Sequence, residues 1–167
     1  MPNRFVELPR DTNQAQGLAE YALEFLRAGE PGEAPLQQVE RFHLDSIACA
    51  VSAIACGTNA PTVLRAEALD YPVADPARGV PLLASRSLVS PEKAVAANAS
   101  AAREWDANGT NFGYNPARNA TAGEFGHNDY YPVAVAAAQL AGLDGRGTLR
   151  AMLLLDAIRG RLAEVFS

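Results

Sequence analysis

Ionisable side chains concentrate in one stretch of the chain, between residues 103 and 129. The stretch contains Arg103, Glu104, Asp106, Arg118, Glu124, His127 and Asp129. His127 lies between Gly126 and Asn128 and is one of two histidines in the sequence. An imidazole titrates near neutral pH, so it can donate or accept a proton there. The stretch therefore favours an acid–base site centred on His127, and a histidine that only supports a loop is the alternative.

Other kinds of chemistry fit this stretch less well. Glu124, His127 and Asp129 are types that bind several divalent metals, but no HExxH motif or second nearby histidine completes a set. No G-x-S-x-G motif supplies a serine nucleophile. The glycines of 109–113 are not followed by the lysine of a phosphate-binding loop. We expect no metal and no organic cofactor.

Composition excludes two classes of partner. The 167 residues carry a net charge of −5, and 13 of the 14 basic residues are arginines, with Lys93 the exception. Nucleic acids and anionic membranes both require a basic surface, so neither is an expected partner. The apolar runs, such as 47–56, are too short to cross a bilayer. Cys49 and Cys56 lie about 10 Å apart on one predicted helix, too far for a disulfide, which favours reduced core thiols in a cytoplasmic protein.

Hydrophobic periodicity predicts an all-α chain, a single helical domain over 1–167. Predicted helices cover 14–27, 36–56, 61–69, 90–105, 131–141 and 148–166. We expect an irregular lead-in over 1–12, a short extended piece over 80–84, a turn over 144–147 and a polar loop over 106–130. Long loops of this kind are usually functional or disordered, and the aromatic residues in this one argue against disorder.

Two further expectations concern packing. His43, on the apolar helix 36–56, is expected to be a satisfied core or interface histidine. Four consecutive apolar residues at 152–155, with Val165 and Phe166 near the chain end, exceed what this chain is expected to cover. We therefore expect a homodimer or a second polypeptide.

The residues of the polar loop also carry a resemblance. Arg-Glu-Trp-Asp-Ala-Asn-Gly-Thr at 103–110, followed by Phe-Gly-His at 125–127 and an alanine-rich helix, resembles the active-site loop of the 2-methylcitrate dehydratase (MmgE/PrpD) family. The buried helix around 45–50 and the closing helix pattern at 158–162 occur in the same order in that family. The resemblance covers about residues 14–167.

The resemblance implies a fold, a chemistry and a set of residues. It implies the N-terminal part of a larger all-helical domain, without the family's α/β lid, and cofactor-free dehydration, decarboxylation or epimerisation of a small di- or tricarboxylate. Asp106 and Thr110 match the family's D-x-x-D-T segment, and His127 matches the histidine of its H-P-S segment. His127 would move the proton and Asp106 would orient the substrate. Thr110 belongs with these two to the expected catalytic set and would hydrogen-bond the substrate. The expected substrate-binding residues are Arg103, Asn108, Arg118 and Asn128.

The sequence departs from the family at several positions. Gly109 replaces the second aspartate, and Asn128-Asp129 replace Pro-Ser. The family's catalytic lysine and second histidine would fall beyond Ser167. We therefore expect a subunit or fragment whose partner, a second copy or a polypeptide carrying the lid, completes the site. The alternative is a non-catalytic helical subunit that completes or regulates its partner.

Overall fold

The computed structural model describes residues 10–105, 107, 119 and 127–166, and these are mostly helical. The helices are α1 (Gln14–Ala28), α2 (Glu33–Cys56), α3 (Asn59–Ala68), α4 (Pro91–Arg103), α5 (Tyr131–Leu140) and α6 (Gly145–Phe166). The prediction of a helical chain is confirmed at this level. Two compact units divide the described residues: 10–30 belong to the first and 31–166 to the second.

The first unit contains α1, which begins where the sequence predicts. The Oδ1 atom of Asn13 accepts a hydrogen bond from the Gln16 amide at 3.2 Å and so satisfies an amide of the first turn. Tyr21 and Phe25, one turn apart, bring their ring centroids to 6.3 Å. No residue of α1 is buried.

The second unit begins with α2, which starts three residues earlier than predicted. Pro35 lies in its first turn, where a missing N–H group costs no hydrogen bond. The helix ends as predicted at Gly57, whose φ of 64° is left-handed and whose amide donates to the Ile54 carbonyl. Its buried face follows helical spacing and consists of Leu36, Val39, Ser46, Ala50 and Ala53.

Two short strands connect α3 to α4. β1 (Val80–Pro81) pairs antiparallel with β2 (Leu88–Val89). The predicted extended piece over 80–84 is therefore shorter than expected, and its partner strand was not predicted. Strands of two residues have no alternation for a sequence pattern to detect.

Small side chains form much of the interface around α4. This helix packs against α2, α3 and α5, and its buried residues are Ala94, Ala97, Asn98, Ala101 and Ala102. Ser90, the first residue of the predicted helix over 90–105, is the N-cap of α4, and its side chain makes no capping hydrogen bond.

The last two helices pack against each other and against α2. α6 begins at Gly145 rather than 148, because Asp144 Oδ1 accepts a hydrogen bond from the Gly147 amide at 2.7 Å. Met152 is fully buried in a cluster with Val39 and Tyr131, and Leu154 is 8% exposed. The chain thus covers two of the four apolar residues at 152–155 by itself.

No single helix among the described residues is both long and apolar enough to cross a membrane. α2 and α3 meet the length and composition criteria only as a pair, and an 89° bend separates them.

Candidate functional site at the base of the polar segment

An ion pair joins the two ends of the polar segment. α4 ends at Arg103, and the chain re-enters the described structure in a 3-10 helix, His127–Tyr130. Arg103 Nη1 donates to Asp129 Oδ2 at 3.2 Å. The side chain of Arg103 is 49% exposed and that of Asp129 is 15% exposed, so the pair lies at the surface with its carboxylate largely covered. The predicted loop over 106–130 is therefore too long, because its last four residues are helical.

The 3-10 helix rests on four longer helices. It contacts α2, α4, α5 and α6. Asp129 is close enough to α2 to affect Cys49: burial, with the charges of Asp45 and Asp129, raises the pKa of that thiol. The segment after residue 126 is thus held by regular secondary structure, the kind of support that positions functional groups accurately.

The structure describes only some of the predicted site residues. Arg103 is described, and the backbones of His127 and Asn128 lie in the 3-10 helix beside it. The side chains of His127 and Asn128 lie outside the described part of the chain. Asp106, Asn108, Thr110 and Arg118 also lie outside the described residues, so their predicted roles stay predictions.

A second guanidinium, which the sequence reasoning did not select, lies beside the same 3-10 helix. The guanidinium carbon of Arg159 is 3.8 Å from the centroid of the Tyr130 ring, a cation–π contact. Arg159 follows Asp156 by three residues on α6, which places both on one face of the helix. That spacing was a usable signal in the sequence. Arg103 and Arg159 thus contact the last two residues of the 3-10 helix, Asp129 and Tyr130.

A buried hydrogen bond lies just behind this helix. The Tyr131 hydroxyl donates to Asp156 Oδ2 at 2.6 Å. Burial raises the pKa of Asp156 to about 6, although the hydrogen bond from Tyr131 and the charge of Arg159 act in the opposite direction. Burial and the nearby Asp156 carboxylate raise the pKa of Tyr131 as well. Tyr131 is therefore a hydrogen-bond donor at neutral pH and not a general base.

His43 differs from its expected role. Its ring meets the Tyr131 ring edge-on, with centroids 6.2 Å apart, and burial lowers the pKa of its imidazole. Its Nδ1 atom is shielded from solvent and has no hydrogen-bond partner among the described residues. Within the described residues the imidazole is therefore not satisfied, contrary to the prediction for a core histidine, and a position at an interface stays a prediction. A cavity lies beside the ring.

That cavity, which we call the His43 cavity, has a volume of about 350 Å³. Its wall includes Ala102, the residue before Arg103, and Tyr131 and Pro132, the residues after Tyr130. The cavity therefore adjoins the base of the polar segment.

Neither thiol forms a disulfide. Cys49 is partly buried and Cys56 is exposed, so the expectation of a core position is wrong for Cys56, which lies in the last turn of α2. Within the described residues, no three His, Cys, Asp or Glu side chains are grouped so that they could hold a metal ion.

No protein-family model, no curated protein and no solved structure matches this chain.

Proposed function

We propose that this chain belongs to an MmgE/PrpD-like lyase or isomerase, and that it contributes an acid–base site for a small di- or tricarboxylate without a cofactor. The reaction class is dehydration, decarboxylation or epimerisation next to a carboxylate. The site is the polar segment between Arg103 and Tyr130. A cytoplasmic location follows from the proposed chemistry and the two free thiols.

The observation that carries this proposal is the 3.2 Å ion pair between Arg103 and Asp129. It joins the residue before the segment to the 3-10 helix that begins with His127. The two ends of the segment therefore lie next to each other in the described structure, which supports the proposal of one local site. The motif order 103–110 and 125–127 supplies the chemistry assigned to that site.

Each residue has a role that its chemistry allows. His127 moves the proton, because an imidazole group is suited to donate or accept a proton near neutral pH. Asp106 orients the imidazole or the substrate. Asn108, Thr110 and Asn128 donate hydrogen bonds to the substrate. Arg118 binds a substrate carboxylate, for which a guanidinium offers two parallel N–H donors.

Arg103 contributes to binding together with Asp129. A guanidinium carries five N–H donors, and the bond to Asp129 Oδ2 engages the Nη1 group. In this proposal Arg103 meets a substrate carboxylate as a cation that is already paired with Asp129, not as an isolated charge. Arg159, against the Tyr130 ring, adds a second positive charge at the base of the site.

Proton exchange in D₂O tests the proposal directly. The purified chain, alone and together with the product of the neighbouring reading frame, is incubated with cis-aconitate, 2-methylcitrate or iminodisuccinate. ¹H NMR then follows the replacement of carbon-bound hydrogen by deuterium and the formation of product. We expect exchange or turnover with at least one substrate, and His127→Asn should reduce it by about 10²–10⁴-fold.

Two controls separate catalysis from folding. Free imidazole should restore part of the lost activity of His127→Asn, because it replaces a proton carrier and not a structural contact. Asp106→Asn should lower the rate, whereas Asp70→Asn, the same change at an exposed aspartate after α3, should not. No exchange with any of the three substrates, in either preparation, would overturn the proposal.

A second candidate function, a non-catalytic subunit, is favoured by the exposed apolar side chains of α2 and α3. Leu44 is 62% exposed, Val63 57% and Val51 46%. Exposed apolar surface of this kind is typical of an interaction site. Either function therefore includes association with a second copy of the chain or with a polypeptide that carries the lid. Sedimentation of the purified chain at micromolar concentration tests this association. A monodisperse, cooperatively folding monomer would contradict both association and the subunit role.

A further inference from the structure

The His43 cavity has walls that are fixed by buried polar contacts. Asn98, on α4, accepts a hydrogen bond from the Leu83 amide at 2.9 Å and donates one to the Pro81 carbonyl at 3.1 Å. Arg65 Nη1 donates to the Leu83 carbonyl at 2.6 Å. Both backbone polar groups of Leu83 are thus engaged, so the segment that forms one wall of the cavity is held in place. Ligand cavities are usually preformed in this way.

The polar groups of the wall are mostly committed to the protein. Ser46 donates to the Phe42 carbonyl at 2.9 Å, Tyr131 donates to Asp156, and Asn98 makes the two bonds above. Water inside this cavity therefore finds few partners, and weakly held water is displaced favourably by an apolar group. Most other residues of the wall are aliphatic, with Ile47, Leu82 and Val135 among them, and the polar Ser85 and Gln139 complete it.

His43 has a buried polar atom in this wall that is not paired within the described residues. Its Nδ1 atom has no hydrogen-bond partner among the described residues, and leaving a buried polar atom unpaired is unfavourable. Nδ1 is closed to solvent, so a ligand reaches the nitrogen through rotation of the ring about χ2, a broad torsion in histidine. A ligand with one hydrogen-bonding group near the ring would recover part of that cost.

The charge of the cavity wall determines whether a charged or an uncharged ligand is favoured. None of the described residues that line the cavity carries a formal charge when His43 is neutral, and burial favours the neutral imidazole. A carboxylate placed here would lose its hydration with no cation to replace it, which is strongly unfavourable. An uncharged molecule loses far less.

Size and access are also suitable. A cavity of ~150 Å³ with apolar walls holds a benzene molecule, and this one is more than twice as large. Ala84 and Gln139, which are exposed, lie in its wall and give it an opening to solvent. Ala84 also has a φ of 53°, a left-handed conformation that is uncommon for residues other than glycine and that is enriched at functional sites.

We propose that the His43 cavity is a binding site for a small, uncharged, mostly aliphatic molecule with a single hydrogen-bonding group that contacts the His43 imidazole. This site is separate from the carboxylate site proposed above, and neither proposal depends on the other. The two sites differ in the charge of their ligands. The carboxylate site binds an anion among arginines, whereas the His43 cavity binds an uncharged molecule.

A pair of isosteric probes tests the charge requirement. Isobutyramide and isobutyrate share a carbon skeleton, but the first is neutral and the second is an anion at pH 7.5. ¹H–¹⁵N correlation spectra of the labelled chain are recorded during titration with each probe. We expect isobutyramide to shift the amide signals of residues that line the cavity, with a Kd of about 1 mM, and isobutyrate to bind at least 10-fold more weakly. Equal or tighter binding of isobutyrate, no binding of isobutyramide, or shifts confined to residues outside the cavity would each overturn the proposal.

A matched pair of variants on α5 locates the site. Val135 lines the His43 cavity, whereas Val133, two residues earlier on the same helix, is 44% exposed and lines a different groove, between α5 and α6. Val135→Phe fills the cavity and should weaken isobutyramide binding at least 10-fold, and Val133→Phe should leave it unchanged. Equal effects of the two variants would overturn the assignment.

Two more variants keep the test decisive. If Val135→Phe does not fold, as judged by circular dichroism, Ile47→Phe fills the same cavity from α2 and should have the same effect. His43→Phe retains a ring of similar size but removes the nitrogens, so it should weaken isobutyramide by about 3–10-fold, the range expected for loss of one hydrogen bond. Unchanged affinity in His43→Phe would overturn the assigned contact with the imidazole.

Discussion

The ionised carboxyl group of Asp156 should lower the free energy of unfolding at neutral pH. Asp156→Asn should therefore raise it. Burial raises the pKa of Asp156 from 3.8 to about 6, so the folded state holds this proton more tightly than the unfolded state. Stability is therefore lost as the pH rises from about 4 to 6, and the full loss is present above pH 6. One pKa unit corresponds to about 1.4 kcal/mol, so the rise corresponds to about 3 kcal/mol.

Asparagine keeps the shape and the acceptor but removes the charge. Its side-chain oxygen can accept the hydrogen bond that the Tyr131 hydroxyl now donates to Oδ2 at 2.6 Å. The pKa of about 6 already includes the hydrogen bond from Tyr131 and the charge of Arg159, so neither is subtracted again. We therefore expect Asp156→Asn to stabilise by about 3 kcal/mol at pH 7.5 and by little at pH 4.

Urea unfolding from pH 4 to 8, followed by circular dichroism, measures this difference. Subtracting the wild-type free energy of unfolding from that of the variant at each pH removes the contribution of the other titrating groups. The difference should rise between pH 4 and 6 and then level off. Asp70→Asn, at an exposed position, should show no such step. A flat difference for Asp156→Asn, or one that falls with pH, would refute the assignment of a buried, proton-binding carboxyl group.

Three further predictions concern other parts of the chain. Iodoacetamide at pH 8 should alkylate Cys56 at least 10-fold faster than Cys49. Cys56 is exposed, whereas burial and nearby carboxylates raise the pKa of the Cys49 thiol. Peptide mass mapping over time measures the two alkylation rates. Gly57→Ala should destabilise by about 1 kcal/mol in urea, because its left-handed φ disfavours alanine although no atom lies within 4 Å of the added Cβ; an unchanged midpoint would contradict this. Met152→Ala should cost about 2–5 kcal/mol, whereas Leu162→Ala, at a side chain that is 41% exposed, should cost much less.

The sequence predicts a helix end well where hydrophobic periodicity and a capping residue indicate the same boundary. α1 begins after Asn13 and α2 ends at Gly57, because an N-cap oxygen and a left-handed glycine act locally. The starts of α2 and α6 are misplaced by three residues each. In both, the residue taken as a boundary, Pro35 or Gly147, is tolerated inside a first turn, where the amide has no intrahelical partner.

Side-chain contacts between distant elements could not be predicted. The pairing of Arg103 with Asp129 joins residues 26 positions apart, and that of Tyr131 with Asp156 joins residues 25 apart. Both depend on how α4, the 3-10 helix and α6 meet, which no local pattern specifies. His43 shows the same limit: an apolar helix predicts burial of its ring, but only the neighbouring helices decide whether a hydrogen-bond partner is present.

The alanine-rich core explains both the close packing and the cavity. Alanines on α4 and α5 let these helices approach their neighbours closely, but each buries little apolar area, so each contributes less than a leucine would. Beside Tyr131 and the His43 ring, the described residues leave a cavity of about 350 Å³. The stability of the second unit therefore depends on a few larger side chains, of which Met152, Leu82 and Tyr131 are fully buried. Binding at the His43 cavity or at the exposed faces of α2 and α3 would add buried area where the alanine core supplies little, so the chain should be measurably more stable with either one occupied.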